Sequence, residues 1–455
     1  MGGPGTGREL TAPGGVSTRG RNARMPLPPD RSEARFDDYK TPYTADQALA
    51  EANRCLYCYD APCQKACPTH IDIAGFIRKI GTGNLKGSAK TIFESNILGG
   101  SCARVCPVEV LCVGDCVYNE QGMPPIQIGK LQRYATDLAV EQGLQFFTAG
   151  APTGKRVALV GGGPASLACA HELRRLGHGC TILEKRAFLG GLNATGVAPY
   201  KMRGDDAAAE VAWVLGIGGI EVQTGVDLDA AGIAGLTSAY DAVFLGLGLG
   251  PDSRLGLLGE DLPGVEGAVA FIDRMKTGTV DVAGVTHAAV IGGGNTAVDA
   301  VRELKGLGVP HVQLVYRGEQ ANMSGYAHEW DAAKVDGVEA VWHAQPVAFT
   351  GVRGVTGVRC SATDADKRPI PGTEFSVPAT LVLVATGQAH LARLVSGLAG
   401  VAVQNGRLVV DGSGRTGHPQ VYAGGDCANG GKEVVNAAAE GKAAAHTIHQ
   451  QLTGN

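Results

Sequence analysis

Eight of the twelve cysteines lie between Cys55 and Cys116, in two closely spaced runs. The first reads Cys55-x2-Cys58-x4-Cys63-x3-Cys67-Pro68, and the second Cys102-x3-Cys106-Pro107-x4-Cys112-x3-Cys116. Disulfides need an oxidising compartment, and nothing marks the chain for export. Zinc sites draw on cysteines as two clean pairs. Four cysteines packed together with proline after the last instead approach the ferredoxin run C-x2-C-x2-C-x3-C-P, whose fourth cysteine serves a different cluster from the first three. The x4 gap relaxes that pattern without forbidding its geometry. Two four-iron clusters need eight ligands. The crossover rule places Cys55, Cys58 and Cys63 on one cluster and Cys67 with three cysteines of the second run on the other. One ligand of the first cluster then comes from elsewhere, and spacing alone nominates Cys102.

Two glycine-rich turns supply a second chemistry. An apolar strand at 157–160 enters Gly161-Gly162-Gly163-Pro164-Ala165-Ser166 and a helix at 167–176. Gly161 permits the tight turn, Gly163 lets backbone approach a pyrophosphate, and the third position packs helix against strand. Ser166 stands there in place of glycine and is small enough to fit. A strand at 180–183 ends in Glu184-Lys185, and an acid about 20 residues on accepts ribose hydroxyls. The second turn, Gly292-Gly293-Gly294-Asn295-Thr296-Ala297, follows a strand at 288–291; the next strand, 312–316, ends in Arg317. An arginine there pairs with a 2′-phosphate and points to NADPH. Gly318 and Ser324 follow where further basic residues would be expected, which tips the reading to NADH.

The C-terminal part assigns FAD to the first turn and the nicotinamide to the second. A strand at 380–384 runs through Ala385-Thr386-Gly387, a crossing back into a flavin domain. Val421-Tyr422-Ala423-Gly424-Gly425-Asp426 then precedes a helix beginning near Lys432. Asp426 would bind a ribityl hydroxyl, its plainer alternative being a helix N-cap. The helix N-terminus, with Val434 N–H as the contact, would favour the anionic reduced flavin. Gly191 and Leu192 belong to a stretch that resembles the loop flanking the flavin in flavoproteins of this type, and with Lys201 they complete the expected cofactor-binding residues.

The elements that position these groups form an α/β chain. The reading is a disordered tail over 1–35, a helical iron–sulfur domain over 36–150, and a flavin domain over 151–285 and 379–455. A nicotinamide domain is inserted at 286–378. Apolar residues at Ile73, Phe76, Ile77 and Ile80 mark helix within 71–98. The tail carries a formal myristoylation pattern at its start, read as accidental, and Met25 is an alternative first residue. A net charge of −4 over 455 residues argues against nucleic acid. No run of about 18 apolar residues occurs, so no membrane span is expected. Cys169, Cys180, Cys360 and Cys427 are isolated and read as buried small residues; no dithiol mechanism is expected.

The stretches CLYCYDAPCQKACPTHIDIAGFIRKI, IFESNILGGSCARVCPVEVLCVGDC and IQIGKLQRYATD resemble the N-terminal domain of dihydropyrimidine dehydrogenase, and more distantly the small chain of glutamate synthase. The likeness spans nearly everything after about residue 36 and both nucleotide motifs. It implies two 4Fe-4S clusters, one held by Cys55, Cys58, Cys63 and Gln132, the other by Cys67, Cys106, Cys112 and Cys116, with Cys102 a bystander. Without it, Gln132 would read as a surface helix residue. It further implies a cytoplasmic NAD(P)H-oxidising subunit that passes electrons to a separate FMN- and iron–sulfur-containing, pyrimidine-reducing subunit, since no such domain follows here. A glutamate synthase small chain is the alternative enzyme, and a redox sensor that does not turn over is the alternative of another class.

Overall fold

Helix-forming sequence dominates the first part of the chain, as a computed structural model describing residues 27–454 shows. It contains α1 (Ala45–Arg54), α2 (Pro62–Ala66), α3 (Ile73–Gly81), α4 (Leu85–Ser95), α5 (Gly99–Val105), α6 (Val117–Glu120) and α7 (Ile128–Glu141). Their starts are written locally. Thr44 and Gln47 form a capping box ahead of α1, and Asp72 and Asn84 accept from Gly75 N and Gly87 N at α3 and α4. Ile73, Phe76, Ile77 and Ile80 are all buried, as the periodicity expects. The periodic stretch divides into two helices at Gly83, whose φ of +78° only glycine adopts freely.

Two parallel sheets follow. The first holds β1 (Arg156–Val160), β2 (Gly179–Glu184), β3 (Ile220–Thr224) and β4 (Ala242–Leu245), with α8 (Pro164–Arg175), α9 (Leu192–Thr195), α10 (Gly204–Leu215) and α11 (Ala230–Ala239) between them. The second begins at β5 (Val265–Gly267) and α12 (Ala268–Thr277). It continues through β6 (His287–Ile291), α13 (Asn295–Gly306), β7 (His311–Val315), α14 (Ala327–Val335) and β8 (Glu339–Val341). An antiparallel sheet of β9 (Ala344–Gly351), β10 (Val355–Thr363) and β11 (Pro369–Pro378) precedes β12 (Leu381–Val384). After a short β13 (Val403–Gln404) and β14 (Arg407–Leu408) come β15 (Val421–Ala423), α15 (Asp426–Asn429) and α16 (Val434–Thr453). The strand orders are β15-β4-β1-β2-β3 and β5-β12-β6-β7-β8. The first fold is therefore completed by β15 from beyond the second.

Two expected limits are corrected. Residues 31–35 do not belong to a tail: Arg31, Ser32 and Glu33 are buried, and Arg31 Nη2 lies 2.6 Å from Glu33 and 2.8 Å from Asp205. A charged segment carries no apolar period to announce its burial. Residues 1–26, with the myristoylation pattern and Met25, lie outside the described residues. The inserted fold is also wider than 286–378, because β12 pairs with β6 and β5 in the second sheet. A short apolar strand at the end of an insertion reads the same in either sheet, and only its pairing decides.

Candidate redox site

Cys55, Cys58, Cys63 and Cys116 line one apolar cavity together with Ile73, Ile77 and Ile126. Burial, and then the charges of Cys55 and Cys116, push the Cys63 thiol up to about 12. The remaining thiols of the two runs gather elsewhere. Cys67 ends α2, Cys106 ends α5, and burial followed by the charges of Cys106 and Cys67 holds Cys112 well above its ordinary value. Cys116, which the resemblance places with Cys67, Cys106 and Cys112, lines the cavity of Cys55, Cys58 and Cys63. The chain returns to the end of α1 at α6, where Tyr118 Oη donates to Arg54 O at 2.7 Å, and that return carries Cys116 to Cys55.

Gln132 is no surface residue. It is buried on α7, and its Nε2 donates 2.7 Å to Gly99 O at the start of α5. Cys102, on α5, is also buried and accepts from Asn96 Nδ2 at 3.0 Å. Among the described residues no three His, Cys, Asp or Glu converge tightly enough for a single metal ion. Thiols spread around a cavity suit a cluster whose irons each take one thiolate; zinc would draw its four ligands onto one point.

The first glycine turn has the geometry its motif requires. Gly161 has a φ of +93°, and a Cβ there would stand 2.4 Å from Gly246 O. Gly163 precedes α8, which no side chain caps, and a Cβ on Gly191 would meet Gly163 Cα at 2.9 Å. Two glycine backbones thus face each other at a helix N-terminus, with Pro164 and Ala165 in its first turn, leaving N–H groups for an anion. Ser166 points away: it is fully buried against Gly246 and its Oγ has no partner. Glu184 is buried and accepts from Gly162 N and Arg186 N, both at 2.7 Å, while Lys185 is exposed.

Gly425 stands against Ala165, and burial followed by Glu440 and Glu433 pushes the Asp426 carboxyl up to about 6. Asp426 opens α15, and Val434 opens α16 with no side chain capping it. Lys201 is occupied otherwise than expected. Its ammonium lies 2.8 Å from both Asp299 and Glu329, which makes it a tie to the second fold.

In the second turn, a Cβ on Gly292 would stand 2.3 Å from Ala385 O, and one on Gly293 2.5 Å from the Tyr316 ring. Gly294 precedes α13; Asn295 Oδ1 accepts from Tyr326 N at 2.9 Å, and Thr296 is half-buried. Gly387, at a φ of +117°, has open space before it. Arg317 is exposed past β7. Beside it the structure supplies a base that sequence reasoning missed. Lys367, from the β10–β11 turn, lies over Gly318 and donates to Tyr316 Oη at 3.1 Å.

A family model described as dihydropyrimidine dehydrogenase domain II, 4Fe-4S cluster, matches residues 32–144. Another, described as pyridine nucleotide-disulphide oxidoreductase, matches residues 155–441. The chain belongs to the pyridine nucleotide-disulphide oxidoreductase family. The NAD-dependent dihydropyrimidine dehydrogenase subunit PreT homolog of Salmonella typhi is 35% identical over 421 residues, covering 92% of this chain and 97% of that protein. The glutamate synthase (NADPH) small chain of Escherichia coli (strain K12) is 33% identical over 449 residues, covering 92% and 94%. Among solved structures, T. acidophilum thioredoxin reductase shares the fold with a TM-score of 0.53 at 21% identity, covering 65% of this chain and 98% of that one.

This pyridine nucleotide-disulphide oxidoreductase is thus an iron–sulfur enzyme with its cluster domain set directly on the flavin fold. Glu210 of α10 caps α5: its carboxylate accepts from Gly100 N at 2.8 Å, Ser101 N at 3.0 Å and the Ser101 hydroxyl. Asn193, just after the Gly191-Leu192 loop, donates 3.0 Å to Ser101 Oγ. Neither residue carries a sequence signal, since each matters only through a partner about 100 residues away. The isolated thiols behave as expected: burial pushes Cys180, Cys360 and Cys427 up to about 12.

Proposed function

We propose that this oxidoreductase takes electrons from NADH on FAD. It passes them through two 4Fe-4S clusters to a separate FMN- and iron–sulfur-containing subunit that reduces uracil or thymine to the 5,6-dihydropyrimidine. The observation that carries this reading is the pair of thiol groups, one tied to the flavin fold through α5 and the other with Cys55, Cys58 and Cys63 half-exposed. When bound, FAD exchanges a hydride's electron pair for single electrons, which the clusters carry.

The chain's own residues bind and orient. Gly161, Gly163 and Gly191 admit the pyrophosphate to the N-terminus of α8, Glu184 faces the ribose, and Asp426 and Val434 N–H face the flavin. Gly292, Gly293, Gly294, Asn295 and Thr296 form the corresponding cradle for the nicotinamide dinucleotide, with Gly387 at its edge. Cys55, Cys58, Cys63 and Cys116 hold one cluster. Cys67, Cys106 and Cys112 hold the other with Gln132, whose Nε2 is taken by Gly99 O and whose Oε1 remains to ligate. Gly318 and Ser324, standing where further basic residues would be expected, favour NADH, while Arg317 and Lys367 narrow the margin over NADPH. Cysteines held as thiolate ligands, with none of the twelve in a disulfide among the described residues, suit the reducing cytoplasm.

Mixing the protein anaerobically with candidate FMN subunits and following NADH-dependent uracil or thymine reduction tests the reading. Its 33% identity to a glutamate synthase small chain supports a second one, which co-purification with a large glutamine amidotransferase chain would favour. If neither NADH nor NADPH bleached the flavin, both readings would fall and the sensor would remain.

A further inference from the structure

Residues 31–40 form a strap that touches all three parts of the molecule. Ser32 N donates to Gly278 O and Val280 N to Ser32 Oγ, both at 2.9 Å, fastening the strap to the nicotinamide fold. The Phe36 ring rests on Gly306 of α13, where a Cβ would stand 2.5 Å from it. Glu33 accepts from Gly204 N at 3.0 Å, and Tyr39 N donates to Tyr200 O at 2.8 Å, fastening it to the flavin fold. The strap then enters the iron–sulfur domain, where Arg133 holds both Asp38 and the Lys40 carbonyl.

It delivers one ammonium group to the backbone of the second cysteine run. Lys40 Nζ donates 2.8 Å to the carbonyl of Cys106, and Cys112 is close enough to share its field. Two other charges act on it. Glu109 is at the surface, 3.4 Å from His328, and Lys201 is matched by Asp299 and Glu329. A neutral donor would satisfy the same carbonyl, so hydrogen bonding alone does not call for lysine. What an ammonium adds is a positive charge beside a cysteine ligand, out of bulk water; burial lowers its pKa, and Glu109, Cys106 and Cys112 act the other way. Reducing a cluster adds one negative charge, and a nearby cation stabilises that form.

We propose that Lys40 is a positioning residue for charge: it raises the reduction potential of the cluster held by Cys67, Cys106 and Cys112, making that cluster the acceptor for electrons leaving the flavin. The proposal rests on reading those thiols as cluster ligands. The test is an EPR-monitored redox titration of the anaerobic holoprotein, with iron counted per chain, for wild type, Lys40→Met, Lys40→Gln and Lys40→Arg. The expected result is a negative shift of one cluster's midpoint in both neutral variants. The other cluster and the flavin stay unmoved, and Lys40→Arg lies near wild type. Unchanged midpoints with full iron in Lys40→Met and Lys40→Gln would overturn it. So would loss of iron in both, which would make Lys40 a folding element only. Wild-type protein without clusters would instead defeat the functional reading itself.

Discussion

The two thiol groups come from the same two cysteine runs yet live in different surroundings. Cys55, Cys58 and Cys63 of the first group are half-exposed, and Leu56 and Tyr59 beside them are 54% and 107% exposed. Cys67, Cys106 and Cys112 of the second are buried, and the flavin fold grips the helix leading to Cys106 through Glu210 and Asn193. On the proposed reading, a carrier buried against the flavin fold and one open toward solvent would form a directional pair. The difference teaches that near-identical thiol runs are set apart by what each group packs against, and on the proposed reading that packing would set the order of transfer.

The sharpest way to break this comparison is Cys116→Ala. Iron should fall by about half, one four-thiolate cluster being lost, with the second cluster's EPR signal intact. Cys102→Ala should keep near-normal iron. Loss of the second signal in Cys116→Ala would return Cys116 to the other group. Glu210→Ala strands Gly100 N and Ser101 N in the interior, and should destabilise the protein by about 3 kcal/mol, read by thermal melting. NADH should still bleach the flavin, but stopped-flow cluster reduction should slow.

The junction between the flavin fold and the iron–sulfur domain should be acid-sensitive. Burial, and then Arg175 and Lys442, hold His171 down to about 3 from an ordinary 6.5; its ring meets Phe147 edge-on at 5.4 Å. The unfolded chain takes up a proton below 6.5 and the folded chain does not until about 3, so stability is lost as pH falls through that window. By about pH 5 the loss should reach roughly 2 kcal/mol. Melting curves of His171→Phe should lack that slope. The smallest effect belongs to the open group: Tyr59→Asp with Leu56→Asp should weaken partner binding about tenfold. Iron content and flavin bleaching should not change, and unchanged partner affinity would place the exit elsewhere.

Much of this was legible in advance. Glycine turns announce themselves because Gly161 and Gly292 occupy backbone space that any Cβ would fill, and helix starts carry Thr44, Asp72 and Asn84 as local caps. What could not be read were features with no local period. Arg31–Glu33 is buried though polar, β12 belongs to the second sheet, Lys201 is spent on two carboxylates, and Lys367 reaches Gly318 from a distant turn. Each depends on a partner far along the chain.

By itself the sequence determined the inventory: eight clustered cysteines, two dinucleotide turns in strand–turn–helix order, and a flavin fold that must close after an insertion. Those follow from covalent spacing and local backbone sterics. Only the tertiary structure decided which cysteines meet, because Cys116 joins Cys55 through the path of the chain between α5 and α6. It also decided that Gln132 faces α5 and that Lys40 faces Cys106. Spacing limits which thiols can share a cluster; packing chooses among them, since burial and long-range hydrogen bonds act between residues that no local pattern connects.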